Sequence, residues 1–448
     1  MPQSRPAEDR IAKGTTRLTL RGRLFAAAAI ALLVGAFAFG NTVLLLASFL
    51  LSSLVLIGRL LMRARTLELE ATRTFEPSFV AAGETTTATL VITNRARTSS
   101  AAARWQDRIP WGKRRTEMQV LPGLTAHSGR YANAGTTARF SYPLTPPRRG
   151  IFAIGPLSVV TGDPFGLAIG SVSLAGTHAL YVTPPIVSLD GAGMPLEAGE
   201  GSSRVIQRST SGSDDDLMTR EYRRGDALRR VHWRASARHG ELMVRQEEQR
   251  SRPEVRLLFD TRSDGYRDVS TDAPNASSPQ TESESFEWVV RLVASFGVHL
   301  EASGFSVATI ESGGPQAASP ALTFRGSTAP SEHSGARFLE SLAGVRLVRD
   351  EANTFDSYQP EGAAPVFAVL CQPTDATIDW AIAHRRPFER GIAVILQVGL
   401  PMMRDLLNPE ALSTRQQFEA AGWQCIEAEP TDDAAAVWAD LSAVTDVR

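Results

Sequence analysis

The sequence contains only two cysteines, Cys371 and Cys425, and each lies in an apolar run of strand-like composition. Two isolated cysteines do not build a disulfide framework, and the chain has no Cys-x-x-Cys pair for a metal or redox site. Buried free thiols are typical of proteins in a reducing compartment. The cysteine content therefore favours a cytosolic location for the soluble part of the chain.

An excess of charge of either sign is also missing. The chain has 47 Lys and Arg against 48 Asp and Glu, a formal net charge of -1. This balance gives no overall attraction to nucleic acid, which is therefore not an expected partner. The G-x-S-x-G, P-loop and H-E-x-x-H motifs are absent too. We predict neither an enzyme of those classes nor a cofactor.

Charged residues almost disappear between residues 24 and 62, where Arg59 is the only one. As a single helix this segment would extend about 58 Å, nearly twice the apolar thickness of a bilayer. A break at Gly40-Asn41 divides it into limbs at 24–39 and 42–62. We predict two transmembrane helices, of which the first is short at 16 residues.

Basic residues flank the apolar segment on both sides, whereas the turn between its limbs has no charge. They are Lys13, Arg17, Arg21 and Arg23 before it, and Arg59, Arg63 and Arg65 at its end. Positive charge marks the cytoplasmic side of membrane helices. We therefore predict a multi-pass protein of the plasma membrane that contacts the lipid bilayer through residues 24–62 and has cytoplasmic soluble domains.

Two other interpretations of this segment remain open. A secretory signal peptide also has a basic start and an apolar core, but this apolar stretch is too long and no small-x-small cleavage site follows it. A single signal anchor that ends at Arg59 would export everything downstream. The chain would then be an exported cell-envelope module.

From about residue 67 to residue 185, short runs of alternating or β-branched residues are separated by Gly, Pro, Asn and Ser. This spacing is typical of an antiparallel β-sandwich of the immunoglobulin-like kind. The predicted strands include 86–93, 138–144, 157–160 and 179–182. Residues 146–150 and 163–167 are interpreted as structural turns, because they combine proline with glycine.

Beyond residue 253 the pattern changes to alternating strands and helices, which predicts an α/β domain with a doubly wound parallel sheet. The predicted strands are 255–260, 305–310, 366–371, 392–398 and 423–427, and the predicted helices are 285–301, 334–342, 375–384, 413–421 and 432–441.

The predicted chain is thus multi-domain. Its segments are a basic cytoplasmic N-terminus at 1–23, two transmembrane helices at 24–62, a β-sandwich domain at 66–190, a linker at 191–219, an Arg-rich segment at 220–252 and an α/β domain at 253–448.

The Arg-rich segment has the densest chemistry, with seven arginines between residues 220 and 238. We predict a helix over 227–239, with Asp226 as its N-cap and Gly240 at its left-handed end. The candidate partner-binding or structural residues are Arg220, Glu221, Tyr222, Gly225, Asp226, Arg229, Arg230, His232, Trp233, Arg234, Ser236 and Arg238.

Three functions of these residues stay open. The arginines can clamp the two soluble domains together through the protein's own acids, or they can face an acidic surface on a partner. A hydrolase would use His232 as general base beside Glu221, Asp226 or Ser236. Proximity in sequence does not align a nucleophile with its base, so no catalytic residue is predicted.

The spacing Arg-Glu-Tyr-x-x-Gly-Asp-x-x-Arg-x-x-His-Trp-x-x-Ser-Ala-Arg, followed by Glu-Leu-Met-Val-Arg, resembles the signature of the domain of unknown function 58 family. That family also has a basic-flanked membrane hairpin, an Arg-Arg-Gly turn and an Asp-Pro-Phe-Gly-Leu segment, as found here at 148–150 and 163–167. The resemblance implies a von Willebrand factor A-like C-terminal half. It also implies a non-enzymatic adaptor or scaffold that works with an AAA+ ATPase of the MoxR type in protein complex assembly or maturation.

The chain departs from the metal-ion-dependent adhesion site of von Willebrand factor A domains. That site needs Asp-x-Ser-x-Ser after the first strand, and this sequence has Asp260-Thr261-Arg262-Ser263-Asp264. The guanidinium of Arg262 puts a fixed cation where a divalent ion would bind. We predict no metal, with Asp260, Ser263 and Asp264 as weak candidates. By fold analogy, Asp260 and Asp375 mark the sheet edge expected to meet a partner.

Overall fold

The computed structural model describes residues 15–64, 68–112, 114–127, 135–174, 176–189, 219–221, 231, 233–245, 253–269, 283–316, 334–349, 364–398 and 412–445. The chain forms two compact units, one ending at Thr183 and one beginning at Pro184. Most of the predicted linker, together with residues 222–230 and 232 of the Arg-rich segment, lies outside the described residues.

The first unit begins with the strand β1 (Thr15–Leu18), followed by two apolar helices, α1 (Leu20–Phe39) and α2 (Thr42–Ala64). The predicted break between them is confirmed. Gly40 ends α1 in the left-handed conformation (φ 61°), and the side chain of Asn41 accepts the N–H of Val43 at the start of α2 (2.9 Å). Both helices are long and apolar enough to cross a membrane, and most of their residues are exposed.

The prediction of a short first limb is wrong. The helix starts earlier because the side chain of Thr19 accepts the backbone N–H of Gly22 (3.1 Å) and caps the first turn. α1 therefore has 20 residues, or about 30 Å, which matches a bilayer core. Small residues allow the two helices to approach closely: Ala29 is buried, and the hydroxyl of Ser48 donates to its carbonyl (2.7 Å).

A β domain follows the helices. Its strands are β2 (Leu69–Glu76), β3 (Phe79–Ala81), β4 (Thr86–Asn94), β5 (Ala103–Asp107), β6 (Gln119–Leu121), β7 (Thr137–Leu144), β8 (Gly150–Ile154), β9 (Leu157–Gly162), β10 (Ala168–Leu174) and β11 (His178–Thr183). They form three sheets with the orders β1-β10-β9-β5-β6, β2-β4-β7 and β3-β11-β8. The pairing is antiparallel as predicted, except that β3 and β11 are parallel.

One apolar core joins these three sheets. Leu90 of β4, Trp105 of β5 and Leu180 of β11 come from different sheets, are fully buried and belong to the same cluster. Along β4, buried residues alternate with more exposed ones, which is the period-two pattern from which the strand was predicted. A core shared between sheets is the feature that the predicted sandwich requires.

A buried charged network crosses the β domain. The guanidinium of Arg73 donates to both oxygens of Asp107 (2.7 and 2.9 Å), and the hydroxyl of Tyr142 donates to the same carboxylate (2.6 Å). Burial and the neighbouring Asp107 charge raise the pKa of Tyr142, so it stays a donor. The network ties β2, β5 and β7 together.

β1 pairs with β10 in antiparallel register, from Thr15 opposite Ser171 to Leu18 opposite Ala168. The sequence analysis did not predict this strand. Because β1 precedes α1 and β10 lies far beyond α2, the chain enters and leaves the helical hairpin within the same β domain.

The turn at residues 163–167, between β9 and β10, supports the base of the hairpin. Asp163 holds the turn by accepting the N–H groups of Phe165 (3.1 Å) and Ala168 (2.6 Å). The N–H of Thr19 donates to the carbonyl of Leu167 (2.9 Å) at the start of α1. The predicted turn therefore also contacts α1.

Two helix glycines allow this contact. A Cβ atom at Gly22 of α1 would lie 2.0 Å from the carbonyl oxygen of Leu167, and one at Gly58 of α2 would lie 3.0 Å from Asp163 Oδ2. Any larger residue at Gly22 would push α1 away from the turn.

We expect Gly22→Ala to lower the stability of the full-length protein by about 1–3 kcal/mol, because the added carbon overlaps the Leu167 backbone. Thermal unfolding in detergent measures the loss. Gly35→Ala is the matched control: the helix and the change are the same, and the nearest atom, Leu44 Cδ1, lies at an ordinary contact distance of 3.7 Å. Equal losses in the two variants would contradict the docking of α1 on the turn.

The second unit contains a small hairpin, β12 (Thr219–Glu221) with β13 (Met243–Arg245), and between them the helix α3 (Trp233–His239). The α/β domain follows. Its strands are β14 (Glu254–Phe259), β15 (Ser306–Glu311), β16 (Val366–Cys371), β17 (Gly391–Leu396) and β18 (Gln424–Ala428), and its helices are α4 (Glu284–Ala302), α5 (Ser334–Ala343), α6 (Asp375–Ala383), α7 (Thr414–Ala420) and α8 (Ala434–Thr445).

The five strands of this domain are all parallel, in the order β15-β14-β16-β17-β18. Phe286 of α4, Phe338 of α5 and Trp438 of α8 belong to one apolar cluster, whereas Ile378 of α6 and Phe418 of α7 belong to another. Helices therefore cover both faces, and the predicted doubly wound parallel sheet is confirmed. Its elements begin and end within four residues of the predicted bounds.

Candidate functional site

The strand order of the α/β sheet reverses between β14 and β16, since the chain first moves to β15 and then returns. Open α/β sheets bind ligands at such a point, outside the carboxyl ends of the strands. Asp260 directly follows β14, Ser312 follows β15 and Gln372 follows β16. Sequence reasoning selected Asp260 but missed Ser312 and Gln372, although both also follow a strand directly.

The two carboxylate oxygens of Asp260 have different surroundings. Oδ1 accepts the hydroxyl of Ser312 (2.5 Å) and the backbone N–H of Arg262 (3.0 Å). Oδ2 is buried and has no hydrogen-bond partner among the residues that the structure describes. A Cβ at Gly265 would lie 2.7 Å from this oxygen and also 2.7 Å from the carbonyl oxygen of Cys371. Oδ2 therefore lies in a close-packed backbone environment.

Burial raises the pKa of Asp260 to about 6, against the opposing effects of the Ser312 hydroxyl, the Arg262 N–H and the Arg262 charge. An ordinary aspartate has a pKa of about 4. The fold thus disfavours the charged form of Asp260, which is the form present at neutral pH. Carboxyl groups with a pKa raised in this way are enriched at functional sites.

Arg262 is also buried, and its guanidinium donates to Asp264 Oδ2 (3.1 Å). Asp264 is thus engaged by a cation, while the backbone N–H of Ser263 donates to the carbonyl of Val348 (3.0 Å). Within the described parts of the chain, no three His, Cys, Asp or Glu side chains are grouped to hold a metal ion. The weak metal candidates Asp260 and Asp264 therefore have no third ligand of these types beside them.

The next strand end carries a buried side-chain amide. Gln372 has a positive φ of 38°, its Nε2 donates to the carbonyl of Val398 (2.6 Å), and its Oε1 is buried with no partner in the described ranges. Asp375 lies exposed in the first turn of α6. Of the two acids that mark this edge, Asp375 is accessible, whereas Asp260 is only 1% exposed.

The Arg-rich segment is held by its small hairpin. Arg220 and Glu221 of β12 lie opposite Val244 and Met243 of β13. The hydroxyl of Ser236, on α3, accepts the N–H of Met243 (2.9 Å) and so fixes the helix to this hairpin. The Ser236 hydroxyl is therefore used in local structure.

The predicted helix over 227–239 is wrong at Val231, which lies in an extended bridge rather than in a helix. The described helix starts only at Trp233. A β-branched valine favours this extended conformation. The end of the helix was predicted correctly: Gly240 has a φ of 77°, and its N–H donates to the carbonyl of Ser236 (2.9 Å).

The described side chains of this segment divide into a buried and an exposed set. Val231 and Met243 are buried, whereas Trp233 is 68% exposed and Arg238 is also exposed. The side chains of Arg220, Glu221 and Arg234, and the whole of Tyr222, Gly225, Asp226, Arg229, Arg230 and His232, lie outside the described set.

Residues 218–273 match the model of a protein family described as protein of unknown function DUF58. The matched region runs from the small hairpin through β14 to the Asp260 edge. The family signature and the switch point of the sheet thus lie in one matched segment. No curated protein matches the chain.

Several solved structures show weak similarity. A CARDB domain from Pyrococcus furiosus is 8% identical over 27% of this chain and 94% of its own, with a TM-score of 0.18. The ApaA protein of Bordetella pertussis is 16% identical over 26% and 94%, with a TM-score of 0.18. The sporulation control protein Spo0M of Bacillus subtilis is 9% identical over 32% and 56%, with a TM-score of 0.14. At these scores the similarities carry no argument about fold or function.

We expect Asp260→Asn to stabilise the protein at neutral pH by about 1–3 kcal/mol. The amide oxygen can still accept from Ser312 and Arg262, and the amide replaces an oxygen that accepts nothing in the described structure. Because the folded-state pKa is raised, wild-type stability falls as pH rises from about 4 to about 6, and the variant lacks this loss.

Chemical unfolding at neutral pH and near pH 4 measures both effects. The two proteins are expected to be equally stable near pH 4, where Asp260 is protonated in the wild type. Ser312→Ala is the control, because it removes the donor to Asp260 without removing the charge, and it should destabilise. A loss of stability in Asp260→Asn at neutral pH would contradict this account of the site.

Proposed function

We propose that this protein is a two-pass protein of the plasma membrane, with cytoplasmic soluble domains, that acts as a non-enzymatic adaptor or scaffold for an AAA+ ATPase of the MoxR type in protein complex assembly or maturation. The observation that carries the membrane part is the pairing of β1 with β10. If α1 and α2 both cross the bilayer, the two strands lie on the same side. A single anchor would separate them by the thickness of the membrane.

The charges at the hairpin base support a cytoplasmic side. Arg17, Arg21 and Arg23 lie at its entry and Arg63 at its exit, while the turn at Gly40 has no charged residue. Positive residues favour the cytoplasmic side of membrane helices. On that side the soluble domains have access to an ATP-driven partner.

The exposed side chains of the Arg-rich segment support an adaptor. Trp233 and Arg238 are exposed on α3, and Leu242 is 42% exposed just before β13. Aromatic and arginine side chains are enriched in protein interfaces and in their binding hot spots. The Ser236 hydroxyl accepts the backbone N–H of Met243 and so has a structural role in this segment.

The nature of the partner rests on the resemblance of the Arg-rich signature and on the DUF58 match over the same residues. Members of the family that this signature resembles commonly accompany MoxR-type ATPases and resemble von Willebrand factor A-like proteins in their C-terminal half. The parallel, doubly wound sheet supports that type of domain, with Arg262 in place of the first metal-binding serine. The buried Val231 and Met243 suit a structural role in the same segment, which is compatible with a partner surface formed by its exposed residues.

Cysteine labelling from outside the cell tests the proposal. We expect Ser99→Cys, in an exposed β-domain loop, to react with a membrane-impermeant maleimide only after spheroplasts are lysed. Thr42→Cys, at the exposed start of α2, should react in intact spheroplasts, because the hairpin turn faces outward.

Wild-type protein is the background control. Both native thiols are buried, and burial raises the pKa of each, that of Cys425 to about 12. Cys371 and Cys425 should therefore remain unlabelled. Labelling of Ser99→Cys in intact spheroplasts would overturn the proposal and make the β domain part of an exported cell-envelope module.

A further inference from the structure

The loop between α6 and β17 contains a tight turn with an unusual residue. The N–H of Glu389 donates to the carbonyl of Arg386 (3.1 Å), and Pro387 and Phe388 occupy the two central positions. Phe388 has a φ of 74°. In a turn with proline first and positive φ second, the second position is ordinarily glycine or asparagine. A bulky side chain in this conformation is strained.

The ring of Phe388 is completely exposed, at 104% of its reference area. It is the most exposed large apolar side chain in the described residues, including those of the two apolar helices. A turn that relaxed could lay the ring against the domain surface and remove it from water. The fold instead combines backbone strain with full exposure at the same residue.

The turn is held rigid from beneath by Glu389, which is buried. Its carboxylate accepts the N–H groups of Ala364 (3.1 Å) and Arg386 (2.9 Å) and a guanidinium N–H of the fully buried Arg256 (3.1 Å). The side chain of Arg385 donates to the Glu389 carbonyl (2.7 Å). The position of Phe388 is thus fixed by several hydrogen bonds that do not involve its own side chain.

Residues 385–390, which form this turn and its flanks, carry more positive than negative charge. Arg386 is exposed, and Arg385 and Arg390 are half-buried beside it. Glu389 is the only acid among residues 385–390, and its charge is met by Arg256 inside the domain. A surface that receives this turn should therefore offer an apolar pocket with acidic residues at its rim.

We propose that Phe388 is a preorganised knob that inserts into an apolar, acid-rimmed pocket of a partner protein, and that this partner is the AAA+ ATPase of the proposed function, on which the assignment rests. A fixed turn lowers the entropy lost on docking into a pocket of defined shape. A fluid lipid surface gains nothing from such rigidity. The knob lies at the amino end of β17, the edge of the sheet opposite to Asp260.

The test uses the full-length protein in nanodiscs of phosphatidylethanolamine and phosphatidylglycerol, with the purified MoxR-type ATPase from the same organism as the probe. We expect Phe388→Gly to weaken ATPase binding by about 10–100-fold. Its melting temperature should stay equal or rise by a few degrees, because glycine adopts a positive φ without strain.

Two further variants keep the test independent of folding. Phe388→Asn also tolerates a positive φ but lacks the ring, so it should behave like Phe388→Gly. Leu412→Ala removes another exposed apolar side chain of the same unit and should bind as the wild type does. A lower melting temperature in both Phe388 variants would overturn the strained-knob interpretation.

The remaining outcomes separate the two proposals. No binding of the wild type to the ATPase would overturn the proposed function and, with it, this assignment of the partner. Equal binding by wild type and both Phe388 variants would overturn the knob alone. A photo-crosslinker at residue 388 should join to the ATPase, and crosslinking to lipid in its presence would make the turn a membrane contact instead.

Discussion

The pairing of β1 with β10 is the interaction on which the rest of the molecule depends. Four residue pairs, from Thr15 with Ser171 to Leu18 with Ala168, close the chain around the two apolar helices. A strand that precedes α1 completes the edge of a sheet whose other members follow α2. The hairpin is thus an excursion from the β domain, and its removal as a signal peptide would detach β1 from its sheet.

The pairing of β1 with β10 also brings the helices against the turn at 163–167. Thr19 connects β1 to α1, and its N–H donates to the carbonyl of Leu167. Gly22 and Gly58 allow both helices to approach this turn. The hydrogen bonds are local, so the orientation of the hairpin on the β domain is fixed where the chain leaves the sheet.

In the second unit, two features lower stability at opposite edges of one well-packed sheet. Asp260 carries a carboxylate whose charge is disfavoured at neutral pH, and Phe388 combines strain with exposure. Apolar clusters cover both faces of this sheet. Residues that violate local preferences within a consistent fold are typical of functional positions. The proposed partner-binding surfaces accordingly include the Phe388 turn, which lies outside the Arg-rich segment.

Hydrophobic periodicity was sufficient to predict both helices of the hairpin, much of the β domain and the alternating α/β domain. Periodicity failed where a single contact or residue determines the bounds of an element. β1 is only four residues long, and the Thr19 cap extends α1 over charged residues that the apolar pattern excludes. Val231 lies in an extended bridge within the range predicted as helix, and its β-branched side chain favours that conformation.

Sequence patterns also gave an incomplete account of Asp260 and Phe388 in the α/β domain. Asp260 was found from the rule for strand ends, but the close approach of Gly265 to its Oδ2 has no sequence signal. Phe388 has no sequence signal, because Pro-Phe predicts neither a positive φ nor full exposure. Its conformation depends on the buried Glu389, whose partners Arg256 and Ala364 are remote in sequence.

A disulfide across β1 and β10 tests the central claim most directly. Thr15 and Ser171 have side-chain oxygens 2.8 Å apart, so the double substitution to cysteine should crosslink within the monomer when native membranes are treated with an added oxidant, and the product should migrate faster on a non-reducing gel. Thr85 and Thr145, also 2.8 Å apart, provide the matched control pair within the β domain. Crosslinking of the control pair without crosslinking of residues 15 and 171 would contradict a β domain closed around the hairpin.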